Sequence, residues 1–226
     1  MSGTVDSTGI LSELRSRVSD RIRQTLERSA DLGFLGGMPT GEQIDHALGF
    51  VAAVESELNR PPRSVIDLGT GGGLPGLVLL SCWPSSRTVL LDANERRTAF
   101  LIEEVKGWQP EARVEVVRGR AEEIARDDRF CQQFEVLTSR SFGAPAVTAE
   151  CGAPLVSVGG LMVVSEPPPD SDEPRWPEAG LAHLGLSPLT STRFDDRFGY
   201  QLLRKAEPTP DRYPRRVGIP AKRPLF

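Results

Sequence analysis

The run Val65-Ile66-Asp67-Leu68-Gly69-Thr70-Gly71-Gly72-Gly73-Leu74-Pro75-Gly76 constrains the fold more than any other feature of the chain. It joins a short apolar run of strand type to an acidic residue, a glycine-rich turn and the start of a helix. Such a turn brings bare backbone N–H groups against a ligand. Asp67 stands two residues ahead of the first glycine, where its carboxylate lies beside whatever the turn holds. It would repel a pyrophosphate but tolerate the ammonium and sulfonium charges of S-adenosylmethionine, so the turn favours a methyl donor over a dinucleotide. The spacing Gly71-x-Gly73-x-x-Gly76 also fits the dinucleotide fingerprint, which alone is weak evidence.

Short apolar runs alternate with helical stretches on either side of this turn. Strands are expected over 64–68, 88–91, 113–117, 134–138 and 161–165, and helices over 75–82, 95–105, 121–126 and 145–155. That alternation predicts a parallel sheet covered on both faces. Segments 184–193 and 198–204 read as a closing hairpin, its second strand antiparallel to the rest. Upstream, Ile10, Leu14, Val18, Ile22 and Leu26 recur every four residues, the stripe of one amphipathic helix. Thr40 and Gln43, in capping-box spacing, start a second helix with Ile44, Leu48, Val51 and Leu58 on one face. The acidic, proline-rich stretch from Glu166 to Pro177 predicts a solvated connection.

With 226 residues, 38% of them hydrophobic, the chain can bury one substantial core. A net charge of −4 argues against the uniformly basic surface of a nonspecific nucleic-acid binder. The charge is unevenly spread, however: residues 204–226 hold seven basic side chains against two acidic ones. Two readings stand for this segment, an extended arm suited to phosphate contacts and a basic tail neutralising an acidic body. Cys82, Cys131 and Cys151 show neither a CxxC nor a Cys/His ligand spacing, so buried thiols are expected and no metal site. Residues 1–10 lack the apolar core of a signal peptide and no run is long enough to span a membrane, which predicts a cytoplasmic protein.

In an open α/β sheet, ligands bind at the carboxyl ends of strands beside the point where strand order reverses. Asp92 closes the second expected strand, where an acidic side chain accepts hydrogen bonds from ribose hydroxyls; the alternative is a cap for the helix beginning near Glu95. The turn Gly119-Arg120-Ala121-Glu122 is placed beside the adenine. Arg140, at the end of the fourth strand, is costly to bury unpaired, so it either meets a carboxylate such as Asp67 or reaches ligand or substrate. No catalytic base is assigned. Neither His46 nor His183 falls at a strand end, and the Tyr-x-x-x-Lys pair of many nicotinamide enzymes is absent. Nor is there an Asn-Pro-Pro-Tyr run for exocyclic amines or a Pro-Cys pair for cytosine C5. A ring nitrogen such as guanine N7 already exposes a lone pair and needs neither.

The motifs Asp67-Leu-Gly-Thr-Gly-Gly-Gly-Leu-Pro-Gly76, Leu90-Leu-Asp92, Arg96-Arg97-x-x-Phe100-Leu101, Gly119-Arg-Ala-Glu122, Ser139-Arg140 and Arg212-Tyr-Pro-Arg-Arg-x-Gly-x-Pro-x-Lys-Arg-Pro-Leu225 together resemble the RsmG (GidB) family. That resemblance implies a bacterial methyltransferase that uses S-adenosylmethionine on guanine N7 of 16S ribosomal RNA, with Gly69, Leu74, Ala121, Glu122 and Arg140 binding the cofactor. The family usually follows its fifth strand with Lys-Gly, where this chain has Val164-Ser165-Glu166. Its Trp-Asn and Asn-Leu-Thr elements between the first two helices are also missing here.

The reading is therefore an α/β, Rossmann-like class I methyltransferase fold with a mostly parallel seven-stranded sheet and N-terminal helices. A helical extension is expected over 1–60, a methyltransferase domain over 61–205 and a basic arm over 206–226. Asp67, Gly69, Gly71, Gly73, Leu74, Asp92, Ala121, Glu122 and Arg140 are the expected cofactor contacts, and Arg215, Arg216, Lys222 and Arg223 the expected RNA contacts. A small-molecule methyltransferase, an NAD-dependent oxidoreductase and a noncatalytic ligand-binding protein are the alternatives.

Overall fold

The computed structural model describes residues 7–108, 113–168 and 174–226. Its centre is a seven-stranded sheet built from β1 (Ser64–Leu68), β2 (Arg87–Asp92), β3 (Val114–Arg118), β4 (Phe134–Ser139), β5 (Val156–Glu166), β6 (Leu186–Phe194) and β7 (Phe198–Lys205). The strand order is β3-β2-β1-β4-β5-β7-β6. All neighbours pair in parallel except β7, which runs antiparallel to both β5 and β6, as expected of the second hairpin strand. Strand order reverses between β1 and β4, which opens a crevice at their carboxyl ends.

Alternate residues of the strands feed two cores. Val65, Leu90, Val136, Leu161 and Val163 pack on one face with α3 (Thr40–Leu58) and α4 (Gly76–Cys82), and with Leu101 of α5 (Glu95–Lys106). Ile66, Leu68, Leu91, Leu137 and Met162 pack on the other with α6 (Ala121–Ile124), α7 (Pro145–Gly152) and α8 (Glu178–Ala182). Such double coverage is why these strands read as unbroken apolar runs rather than alternating ones.

The four-residue stripe near the N-terminus forms two helices, not one: α1 (Ser7–Ser16) and α2 (Asp20–Asp31). Ser19 separates them, its hydroxyl accepting from Ile22 N as an N-cap. Leu14, Val18, Ile22 and Leu26 are buried all the same, in one cluster with the sheet, so the N-terminal helices share the main core. The capping box at Thr40 does not form either. Pro39 is the N-cap, and the buried Gln43 side chain instead donates to the Gly36 and Met38 carbonyls.

Of the expected acidic connection, residues 169–173 lie outside the described residues. Of the rest, Pro167, Pro168, Pro174 and Arg175 are exposed as a solvated connection requires, while Glu166 ends β5 and pairs with Arg175, Trp176 is buried, and α8 follows. The C-terminal segment, read as an extended surface arm, folds back into α9 (Ile219–Lys222), and Pro214 and Pro220 are buried.

Candidate active site

The glycine turn leaves β1 through Gly69 and Thr70, whose N–H groups both donate to Leu91 O. Gly69 and Gly71 have φ of +75° and +57°, a region in which only glycine is free of Cβ strain. A Cβ on Gly69 would stand 2.7 Å from the Phe142 ring, so the phenyl group can lie against bare backbone. Beside the turn is a cavity of about 500 Å3, lined by Gly69, Asp92, Ala121, Glu122, Phe142 and Ala221 among others. That volume and its mixture of apolar wall and carboxylates suit a nucleoside with a short polar tail.

Asp92 occupies the cavity edge and works twice. Its Oδ2 accepts from Gly71 N at 2.9 Å and its Oδ1 from Asn94 N at 2.7 Å. Capping α5 falls to Asn94, whose side chain accepts from Arg97 N. Gly119, Ala121 and Glu122 line the same cavity from the end of β3, and Arg120 with them.

Five expected contacts do not line this cavity: Asp67, Gly71, Gly73, Leu74 and Arg140. Asp67 is fully buried, with Oδ2 accepting from Gly76 N at 2.8 Å and Oδ1 from Thr138 Oγ1 at 3.1 Å. It holds the turn against the helix start and does not line the cavity. Desolvation pushes its carboxyl up to about 6, partly offset by its hydrogen bonds to Gly76 and Thr138. Gly73 meets Leu77 and Leu101, and Leu74 is buried in the core, so both seat α4 rather than face the cavity. The turn is also clamped from outside, where Ser29 Oγ of α2 donates to Gly72 O at 2.8 Å.

Arg140 makes no ion pair with Asp67; its Nη2 donates to Gln43 Oε1 at 3.2 Å, and its Nη1 is buried without a partner among the described residues. Burial lowers its pKa from the ordinary arginine value, with Tyr200 and Asp67 opposing the shift. Close by, His46 stacks on Phe198, centroids 4.7 Å apart and planes within 10°. Desolvation, reinforced by Arg140, pushes His46 down to about 4, which keeps the imidazole neutral.

Of the expected RNA contacts, Arg216, Lys222 and Arg223 are exposed. Arg215 is not free for phosphate. It grips Glu150, a fully buried carboxylate, through its backbone N and Nε at 2.8 Å each and Nη2 at 2.6 Å. Glu122 Oε1 accepts from Gly218 N at 2.9 Å, and Ala221 lines the cavity, so the C-terminal segment is part of the cavity wall. Sequence reasoning passed over Glu150, although a lone carboxylate in the otherwise apolar Pro145–Gly152 helix is the signal for a buried partner. Gln43 and Trp176 left no comparable signal. Among the described residues no group of acidic, histidine and cysteine side chains could hold a metal ion, and no helix is long and apolar enough to cross a membrane.

The family model GidB, rRNA small subunit methyltransferase G, matches residues 42–189. A ribosomal RNA small subunit methyltransferase G from Symbiobacterium thermophilum is 34% identical, over 80% of this chain and 78% of its own. One from Moorella thermoacetica is 34% identical over 73% and 70%. Among solved structures, the O-methyltransferase from Bacillus cereus in complex with SAH superposes with a TM-score of 0.55 at 15% identity, covering 82% of this chain and 90% of that one. The cofactor-bound Rv0187 from MTB gives 0.55 at 18%, over 84% and 92%. At such identities the likeness is one of fold.

Proposed function

The chain belongs to the GidB family, rRNA small subunit methyltransferase G, and from that premise we propose that it methylates a guanine N7 of 16S ribosomal RNA with S-adenosylmethionine. The observation that carries the reading is the cavity at the strand-order reversal, where Asp92 ties the Gly69–Gly71 backbone beside Ala121 and Glu122. Membership of a methyltransferase family decides against the nicotinamide alternative.

The residues fit the cofactor. A Cβ on Gly71 would meet nothing closer than Gly69 O at 3.9 Å, so its backbone is free for close approach. Asp92 is an acceptor for ribose hydroxyls, Ala121 and Glu122 flank the base, and the Gly69 backbone at the cavity wall borders the methionine portion. S-adenosylmethionine, when bound, supplies an electrophilic methyl group to a lone pair, the positive charge passing from sulfur to the acceptor. Guanine N7 carries no proton, so the side chains here need only bind, orient and exclude water. That requirement matches a site with no obvious general base. Phe142 lies against the turn and Ala221 lines the same cavity from the C-terminal segment. An RNA acceptor places the working protein in the cytoplasm, with Arg216, Lys222 and Arg223 available to phosphates.

The test is to map methylated guanines in 16S rRNA from cells with and without this chain, alongside calorimetry with S-adenosylhomocysteine. One N7-methylguanine that disappears with the protein supports the reading. Tight cofactor binding with no change in ribosomal RNA would overturn the acceptor and favour a small molecule.

A further inference from the structure

A second cavity, of about 280 Å3, opens at the carboxyl ends of β4 and β5 and is walled by His46, Phe142, Ser165, Glu166, Arg175 and Trp176 among others. Ser141, Phe142 and Gly143 line both cavities, so the two adjoin across the segment that follows β4. Its wall holds polar atoms that are buried with no partner among the described residues. Glu166 Oε2 accepts from Arg175 Nε at 2.8 Å while Oε1 accepts from nothing. Trp176 is 6% exposed, and its indole N–H is likewise unpartnered. Buried polar atoms in folded proteins are nearly always paired, and those that are not call for an explanation.

We propose that this cavity receives the target guanine and that Glu166 reads its Watson–Crick edge. The proposal rests on the methyltransferase reading above. An ionised carboxylate only accepts hydrogen bonds, and it has lone pairs left on both oxygens beside Arg175. Guanine alone among the four RNA bases presents two adjacent donors on that edge, N1–H and N2–H. Adenine and cytosine set an acceptor next to their amino group, and uracil flanks its N–H with two carbonyls. The Trp176 indole, a donor only, matches guanine O6, which neighbours N1. Phe142 supplies an aromatic face for stacking, the usual complement to edge hydrogen bonds in single-stranded RNA recognition. With the Watson–Crick edge held at Glu166, the imidazole side of the purine, which carries N7, is left to face Ser141–Gly143 and the cofactor cavity. A carboxylate there also offsets the positive charge that the purine acquires on N7 methylation.

Glu166→Gln keeps the volume but puts an amide NH2 against a guanine donor. The experiment measures methylation of full-length 16S rRNA, assembled by ligation so that the target position carries either guanosine or inosine. Inosine retains N7 and N1–H but lacks the 2-amino group. The parent protein should prefer guanosine by about 10- to 100-fold in kcat/KM, the range for one good base contact, and Glu166→Gln should lose most of that preference while binding S-adenosylhomocysteine as before. A variant that methylates with the parent's guanosine preference overturns the role of Glu166. If the parent methylates neither RNA, the function reading fails and the pocket assignment with it. Should Glu166→Gln lose S-adenosylhomocysteine binding as well, Glu166→Asp carries the same comparison, since it keeps the charge and withdraws it by one methylene.

Discussion

Arg215 is committed to Glu150: three of its N–H donors close on a carboxylate with no exposed surface. A basic residue in a basic segment is thus a structural strut beside the cavity wall. Replacing it by alanine strands a buried charge, and removing one partner of such a pair is strongly destabilising. Arg215 itself is partly exposed, which reduces the loss, so Arg215→Ala should cost about 2 to 4 kcal/mol in a denaturant titration, whereas Arg216→Ala should stay within about 0.5 kcal/mol. Equal effects from the two variants would show that Glu150 does not depend on Arg215.

The exposed cations should govern affinity for RNA. Each phosphate that is no longer neutralised flattens the dependence of log K on log salt by about 0.7 for single strands. Replacing Arg216, Lys222 and Arg223 by alanine together should lower that slope by up to about 2, with affinity for S-adenosylhomocysteine unchanged. An unaltered slope would leave the basic segment a purely structural role.

Asp92 should matter to the cofactor more than to the fold. Asp92→Asn preserves size and one acceptor but loses the charge, so calorimetry should find S-adenosylhomocysteine bound about 10- to 100-fold more weakly, the equivalent of about 1.5 to 3 kcal/mol for a hydrogen bond to a charged group. An unchanged Kd would restrict Asp92 to pinning Gly71 and Asn94.

His46 predicts a pH dependence with a definite sign. Its folded pKa of about 4 lies below the ordinary 6.5, so between those values the unfolded chain binds more protons and stability falls as pH drops. Asp67, raised from 3.8 to about 6, acts the opposite way, losing stability as pH rises through that window. His46→Phe keeps the stacking on Phe198 and leaves Asp67 untouched. Its stability relative to the parent should therefore improve between pH 7 and pH 4.5, by about 3 kcal/mol or less. A constant difference across that range would rule out a neutral, desolvated imidazole.

Sequence by itself determined the alternation of apolar runs and helices, because strands buried on both faces and helices with caps leave local signals at Ser64–Leu68, Asn94 and Phe134–Ser139. It also located the glycine turn, since positive φ at Gly69 and Gly71 is a demand of the backbone itself. What it could not show was direction. Asp67 and Asp92 both end strands beside that turn, yet one is turned into the sheet by Gly76 and Thr138 while the other edges the cavity. Gln43 looked like half of a local cap; its amide N–H groups go to Gly36 and Met38, but its Oε1 accepts from Arg140, 97 residues away. Glu150 and Arg215 are 65 residues apart, and Glu166 at the end of β5 meets Arg175 and Trp176, which lead into α8, at the wall of the second pocket. Capping, periodicity and turn chemistry act over a few residues and are written locally; pairing of buried charge depends on which distant segments meet, and tertiary packing alone decides that.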